Sequence, residues 1–160
     1  YPGWGFMIDQ GATSIWETWK ESDNTYSNNH PMFGTVSEWY YRWLAGIRPD
    51  PDQPGFKEFF VTPTTPEGLA AVNCLYNSPH GTIASNWKKT TPAGYTYEIK
   101  VPNGTKANVT LAVGQSQVVA IVNKQGLNQS GSINGLQTGE FTLPGGDYVI
   151  TVASGKESVY

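Results

Sequence analysis

The sequence contains little cysteine, little charge and no long apolar run, and each shortage excludes a class of protein. Cys74 is the only cysteine among 160 residues, so no disulfide forms within the chain. Lys and Arg total 10 against 13 Asp and Glu, and the longest basic run is Lys88-Lys89. Phosphate backbones are bound by clustered Lys and Arg, so we expect no nucleic-acid partner. No stretch approaches the roughly 18 apolar residues of a membrane-spanning helix, so we expect no membrane span.

Histidine is also scarce, and the short motifs that bind phosphate groups are absent. His30 and His80 are far apart in the sequence and have no cysteine beside them, so the pattern predicts no metal site. There is no glycine-rich phosphate or dinucleotide loop, and we expect no cofactor. His80 lies in a Ser-Pro-His-Gly turn, where we expect it at the surface. The first residues, Tyr1-Pro2-Gly3, include neither an initiator Met nor a signal peptide, which indicates a fragment of a longer protein.

Aromatic residues are plentiful and unevenly placed, which divides the chain. Five of the six tryptophans lie in residues 1–47, and a proline-rich stretch follows at 48–55. We therefore predict an aromatic N-terminal region (1–47), a linker (48–55) and a separate C-terminal domain (56–160). Before the linker, Val36 to Ile47 carries apolar residues at helical spacing, with Thr35 and Glu38 spaced as a capping box and Gly46 placed to end the helix. This helix is so aromatic that we expect it to pack on further helices outside the chain.

From residue 56 onward the apolar residues recur with period two, which is typical of strands. Tyr95 to Val101 alternates most clearly, and Trp87 is one of the few aromatic residues here that we expect to be exposed. Cys74 is expected to be a buried thiol in an apolar strand. Turn residues separate eight predicted strands, and short strands at this spacing indicate an antiparallel sandwich or barrel. The strands are predicted at 59–61, 69–76, 82–88, 95–101, 106–113, 117–122, 140–143 and 148–152.

The residue with the strongest chemical signal is Glu17, which stands between Trp16 and Trp19. Indole rings solvate a carboxylate poorly and so favour its protonated form, which suits a group that exchanges protons. Aromatic faces beside a carboxylate also indicate carbohydrate chemistry, and glycoside hydrolysis generally uses two such carboxyl groups. His30, beside Pro31, is a candidate contact for a sugar hydroxyl. The alternatives from the pattern alone are a structural Glu17 that accepts backbone hydrogen bonds and an ordinary loop histidine.

Several motifs, in order along the first 90 residues or so, resemble the bacterial α-L-rhamnosidases of glycoside hydrolase family 78. The later strands resemble that family only in general character. The motifs are Trp4-Gly5-Phe6-Met7, Gly11-Ala12-Thr13-Ser14-Ile15-Trp16-Glu17-Thr18-Trp19, Asn29-His30, Phe33-Gly34-Thr35-Val36-Ser37-Glu38-Trp39-Tyr40-Tyr41, Ala45-Gly46-Ile47, Pro54-Gly55-Phe56-Lys57 and Gly81-Thr82-Ile83-Ala84-Ser85-Asn86-Trp87.

This resemblance implies an (α/α)6-barrel catalytic domain followed by a β-sandwich, with residues 1–47 as the last loop and helix of the barrel. It implies an inverting α-L-rhamnosidase acting on a carbohydrate substrate, with Glu17 as the general base and His30 in contact with the rhamnose. Trp16 and Trp19 would bind substrate or, more in keeping with their setting, shape and desolvate the site. The general acid would come from upstream parts of the barrel, so the 160-residue chain alone is expected to be inactive.

Three alternatives remain open at the level of sequence. The chain could be a non-catalytic carbohydrate-binding β-sandwich with an aromatic extension. Its C-terminal domain could serve only to pack against the barrel. The parent protein could also be an (α/α)6 glycosidase with a different sugar specificity, because a fold does not determine a substrate.

Overall fold

The computed structural model describes residues 3–19, 27–114, 117–124 and 126–154. The chain forms two compact units, Tyr1–Tyr40 and Tyr41–Tyr160. The first unit contains the helix α1 (Trp4–Asp9), a 3-10 helix at Pro31–Thr35 and the helix α2 (Val36–Trp39). A π-helical turn at Tyr40–Leu44 follows α2. The assignment of residues 1–47, 48–55 and 56–160 to separate domains stays a prediction.

The predicted helix is present, but it starts earlier than predicted, lacks the capping box and ends at Leu44. Ile47, predicted on its apolar face, instead pairs with Val61 in a strand. Thr35 already has helical dihedral angles (φ −60°, ψ −20°), and its side chain makes no capping bond. Its Oγ1 instead donates to the carbonyl of Met32, at 3.1 Å. The reason is Pro31, whose fixed φ favours the first helical position and starts the 3-10 turn upstream. Gly46 follows the helix with φ 74°, a value that glycine adopts without strain, as the sequence predicted.

The second unit is made mainly of β-strands, which confirms the predicted fold class. The strands are β1 (Ile47–Pro49), β2 (Glu58–Val61), β3 (Ala71–Val72), β4 (Leu75–Ser78), β5 (Gly81–Lys89), β6 (Tyr95–Thr110), β7 (Gln117–Asn123) and β8 (Glu140–Ser154), with a 3-10 helix at Leu136–Thr138. β1 includes residues 48 and 49 of the predicted linker.

These strands form one curled, mixed sheet around β6. β6 pairs antiparallel with β5 and β8, and β7 pairs antiparallel with β8. β2 lies parallel to the second half of β6, with Glu58 opposite Lys106 and Val61 opposite Val109. The other ladders between these strands are antiparallel, as predicted. The parallel pair is possible because long connections, rather than a tight turn, join β2 to β6.

β6 and β8 each unite two of the predicted strands. Val101 pairs with Gly146 and Lys106 pairs with Pro144, so residues 102–105 form a wide bulge opposite the single residue Gly145. A Cβ atom at Gly145 would lie 2.8 Å from Asn103 Cα, so only glycine allows this close approach. The proline and glycine residues that predicted turns therefore mark a bend within paired strands.

The core follows the alternation that the sequence predicted. Tyr97, Ile99 and Val101 are buried, whereas Glu98 and Lys100 between them are exposed. Burial raises the pKa of Tyr97 to about 12, with a smaller contribution from Tyr95.

Two sequence predictions on core residues need correction. Trp87 was predicted to be exposed, yet only 2% of it is accessible, because its indole N–H reaches a main-chain carbonyl inside the unit. Cys74 is half-buried against the core rather than fully buried, and burial raises the pKa of its thiol. The predicted strand 69–76 breaks into β3 and β4 near Cys74, whose N–H donates to Asn86 Oδ1 at 3.0 Å.

Four consecutive carbonyl oxygens at the end of the helix accept hydrogen bonds from other residues of the second unit, which we call the β-sheet unit. Thr64 N donates to Trp43 O (2.9 Å), Trp87 Nε1 to Leu44 O (2.9 Å), Ser85 Oγ to Ala45 O (2.6 Å) and Thr62 N to Gly46 O (3.0 Å). The last carbonyls of a helix have no partner within it, so these donors supply the bonds that the helix lacks. We refer to this set of four bonds as the carbonyl cap.

Large aromatic side chains remain exposed along the helical segment that ends at Leu44. Trp39, Tyr40, Tyr41 and Trp43 are between 40% and 51% accessible. The helix therefore carries more apolar surface than this chain covers, as its sequence predicted.

Candidate functional site

The candidate site lies where two segments of the first unit run side by side. The backbone N–H of Glu17 donates to Ser27 O at 3.0 Å, and that of His30 donates to Ile15 O at 2.7 Å. The Ser14 hydroxyl donates to the carbonyl of Asn28. The structure thus brings together the segments that carry Glu17 and His30, although ten or more residues separate them in the chain.

Glu17 has a half-buried side chain with an unusual polar setting. Its Oε2 atom is buried and has no hydrogen-bond partner among the described residues. Leaving a buried carboxylate oxygen without a partner costs free energy, because the atom loses its hydration and gains nothing in return. A carboxylate oxygen in this setting can accept a hydrogen bond from a water molecule or a ligand.

The two indoles that flank Glu17 differ in their surroundings. Trp16 is only 6% exposed, so protein atoms cover its ring. Trp19 is half-buried and stacks on Phe33, with ring centroids 3.9 Å apart and planes inclined by 19°. Trp4 meets Trp19 edge-on at 4.9 Å. These contacts fit residues that shape the site, and direct contact of either indole with a sugar stays a prediction.

His30 precedes the 3-10 helix that starts at Pro31 and occupies its N-cap position. Its backbone N–H is engaged by Ile15 O, and its side chain is half-buried. The imidazole is thus attached to a fixed piece of backbone, between the paired segment and the helical turn.

Two residues near the candidate site were missed as functional candidates in the sequence. Trp4 Nε1 donates to the carbonyl of Phe33 at 3.2 Å, so Trp4 contacts both partners of the Trp19–Phe33 stack. Both residues lie in the quoted motifs, but no periodicity relates positions 4, 19 and 33. Only the fold shows that these three rings meet.

One cavity of the β-sheet unit is lined by aromatic residues that present no free ring face. A cavity of about 720 Å³ lies between residues 129–135 and β8, and Gln129, Asn134 and Glu140 line it. Its aromatic residues, Phe141 and Tyr148, are 6% and 9% exposed, so neither presents a free ring face. His80 is exposed, as predicted.

The described residues contain no group of three or more His, Cys, Asp or Glu side chains placed to hold a metal ion. Within the same residues, no helix has the length and apolar character to cross a membrane.

Two family models match the chain in succession. Residues 1–44 match the bacterial alpha-L-rhamnosidase 6 hairpin glycosidase domain. Residues 46–126 match the bacterial alpha-L-rhamnosidase C-terminal domain.

Curated relatives agree with the family models. An alpha-L-rhamnosidase of Formosa agariphila is 31% identical over 140 residues, which cover 80% of this chain and 14% of that protein. An alpha-L-rhamnosidase of an Alteromonas species is 31% identical over 128 residues, covering 75% of this chain and 14% of that protein. The chain therefore spans only about a seventh of these relatives' length.

Solved structures share the fold. The alpha-L-rhamnosidase of Dictyoglumus thermophilum superposes with a TM-score of 0.71 at 25% identity, covering 96% of this chain and 18% of that one. The Streptomyces avermitilis alpha-L-rhamnosidase, solved in complex with L-rhamnose, gives a TM-score of 0.69 at 23% identity, covering 96% of this chain and 15% of that one.

Proposed function

Because this chain belongs to the bacterial alpha-L-rhamnosidase family, we propose that it is the C-terminal part of an enzyme that hydrolyses terminal α-L-rhamnose from glycosides or polysaccharides. The curated relatives named alpha-L-rhamnosidase support this reaction. The single observation in the structure that carries the proposal is the buried Oε2 of Glu17, which has no hydrogen-bond partner within the part of the chain that the structure describes.

Glu17 acts in this proposal as the general base of an inverting reaction. Its carboxylate takes a proton from water while the water oxygen attacks the anomeric carbon. A second carboxyl group protonates the glycosidic oxygen as that bond breaks, and the sugar leaves with inverted configuration. Oε2 suits the base because none of the described residues bonds to it, so it can accept the proton of the attacking water. His30 contacts a hydroxyl group of the rhamnose from the neighbouring segment.

The general acid belongs, in this proposal, to parts of the parent protein outside residues 1–160. An inverting site holds its two carboxyl groups roughly 6.5–9.5 Å apart with the attacking water between them. The curated relatives are about six times as long as this chain, which leaves ample room for the acid and for most of the sugar-binding residues.

The β-sheet unit serves as a packing element in the same enzyme. The carbonyl cap supports this role, since β5 and the segment that follows β2 supply the hydrogen bonds that end the last helix. A carbohydrate-binding role for residues 56–160 is less well supported, because Trp87, the aromatic residue predicted to be exposed, is buried.

The test of the base is Glu17→Gln in the full-length parent enzyme. Glutamine keeps the size of the side chain but cannot accept the proton, so kcat on an aryl α-L-rhamnoside should fall by about 10²–10⁴-fold with the fold intact. Glu98→Gln, which alters an exposed carboxylate on β6, is the matched control and should leave kcat unchanged.

Near-normal turnover by Glu17→Gln would return Glu17 to a structural role. Absence of rhamnosidase activity in the wild-type parent, together with hydrolysis of another aryl glycoside, would instead replace the sugar in the proposal.

A further inference from the structure

Three aromatic residues of the first unit, Trp4, Trp19 and Phe33, form a cluster that we call the aromatic clamp. We propose that the aromatic clamp is a positioning device for Glu17, and that Phe33 is the positioning residue at its centre. The inference rests on the function proposed for Glu17, and it adds residues that act on the reaction without touching the substrate.

The aromatic clamp adds a further connection between the two segments that carry the candidate site residues. Glu17 lies two positions before Trp19, and His30 lies three positions before Phe33. The segments that carry them are joined by the hydrogen bonds from Glu17 N to Ser27 O and from His30 N to Ile15 O. The stack of Trp19 on Phe33 adds a third connection beyond both residues. Glu17 therefore lies between two fixed points, and a change at Phe33 releases one of them.

Trp4 contacts both Trp19 and Phe33, so each of the three residues of the aromatic clamp touches the other two. Its edge meets Trp19 at an interplanar angle of 88°, and its indole N–H donates to Phe33 O at 3.2 Å. Edge-on and stacked ring contacts are the favoured arrangements of aromatic pairs, so both contacts hold the rings in a defined geometry. The face of Trp19 that stacks on Phe33 is covered and not available to a sugar, which favours a role through Glu17 over direct binding.

The expected effect follows from the geometry that a general base requires. A base must lie within hydrogen-bond reach of the water that it activates, and a displacement of about 1 Å can cost about 10²-fold in rate. Loss of the stack should allow such a displacement of Glu17, while most contacts with the substrate come from elsewhere in the parent protein. The clamp should therefore affect kcat much more than KM.

The experiment is a double-mutant cycle in the full-length parent enzyme, with kcat and KM measured on an aryl α-L-rhamnoside. Phe33→Leu, which keeps an apolar side chain but removes the ring, should lower kcat about 10- to 100-fold and leave KM within about 3-fold. In the Glu17→Gln background the same change should have little further effect on kcat, because a positioning residue acts through the group that it positions. Phe33→Tyr, which keeps the ring, should restore most of the activity.

Tyr95→Leu is the matched control, since it also removes a half-buried ring that contacts a tryptophan, here Trp87 in the β-sheet unit. It should leave kcat unchanged. If Phe33→Leu does not fold, as judged by circular dichroism, Trp4→Phe replaces it, because this change removes the hydrogen bond to Phe33 O and keeps an aromatic ring.

Two results would overturn the inference while leaving the proposed function in place. The first is full activity of the clamp variants beside an inactive Glu17→Gln. The second is a double variant in which the separate losses of kcat from Phe33→Leu and Glu17→Gln multiply. A fully active Glu17→Gln would reject the proposed function itself, and the inference with it.

Discussion

At the scale of single residues, Ser85 and Trp87 supply the two side-chain donors of the carbonyl cap. They lie two positions apart on β5, so their side chains point to the same face of the strand. Ser85 is 1% and Trp87 2% exposed, and they donate to the adjacent carbonyls of Ala45 and Leu44. The Ser85 hydroxyl and the Trp87 indole N–H thus donate the hydrogen bonds that the backbone N–H groups of a further helical turn would otherwise donate.

We predict that Ser85→Ala destabilises the chain by about 1–3 kcal/mol, because it leaves the buried carbonyl of Ala45 without a donor. Urea unfolding of the purified 160-residue chain, followed by tryptophan fluorescence, measures the difference. Ser132→Ala changes an exposed serine and should shift the free energy of unfolding by less than about 0.5 kcal/mol. Equal effects of the two changes would show that the hydrogen bond to Ala45 contributes nothing.

The sequence predicted the setting of a residue correctly where that setting depends on neighbours in the chain. It failed where the residue's hydrogen-bond partner is distant in the chain. The setting of Glu17 between two tryptophans is visible in the sequence, and so is the glycine at position 46 that ends the helix. The burial of Trp87 was missed because its partner carbonyl belongs to Leu44, 43 positions away. Hydrogen bonds to main-chain carbonyls leave no pattern of residue types from which to predict them.

At the scale of secondary-structure elements, the bend shared by β6 and β8 is the main departure from simple alternation. The two strands stay paired on both sides of the bulge at residues 102–105, which allows each of them to contribute to two stretches of the curled sheet. Gly145 makes this possible, because the backbone of Asn103 occupies the place of a side chain.

We predict that Gly145→Ala destabilises the chain by about 1–3 kcal/mol, the usual cost of forcing extra atoms into a packed site. A Cβ atom there would meet Asn103 Cα at 2.8 Å and Pro102 O at 2.9 Å, and neither backbone atom can move without disturbing the ladder. Thermal unfolding monitored by circular dichroism is the measurement. Gly131→Ala, where a Cβ atom meets nothing within 4 Å, is the control. A Gly145→Ala variant as stable as the control would mean that the bulge is readily rearranged.

The existence of most strands could be predicted from period-two alternation, but their ends could not. Proline and glycine near positions 102–104 and 144–146 were interpreted as turns, since the same residues serve tight turns and bulges. The choice between them depends on whether the neighbouring strand continues alongside, which is a property of the sheet. Helical periodicity likewise located the helix but not its change from 3-10 to α and π geometry.

At the scale of the whole molecule, a few motifs in the right order predicted the family, which composition and periodicity could not do. Composition excluded classes of partner, and periodicity gave a mainly β fold after a helix. The family followed from motifs such as those around Glu17 and Trp87, and the family models and curated relatives confirm it. The role of each candidate site residue stays a proposal, because sequence patterns do not show where a substrate lies.

We predict that the purified 160-residue chain does not hydrolyse aryl α-L-rhamnosides, even when folded. One carboxyl group cannot both protonate the leaving oxygen and activate water on the opposite face of the sugar. A chromogenic assay beside the full-length parent, with circular dichroism of the chain as the control for folding, is the measurement. Turnover by the chain that disappears in Glu17→Gln would show that both groups lie within these residues.

The carbonyl cap has a consequence for how members of this family can be recombined. The two family matches meet at residues 44–46, yet Leu44 in the first match receives its hydrogen bond from Trp87 in the second. A crossover at this border would join a helix end to a foreign sheet, and the hybrid would fold well only if the incoming strand carried its own pair of suitably spaced donors. The two segments are therefore expected to be inherited together, because hydrogen bonds cross the boundary between the two family matches.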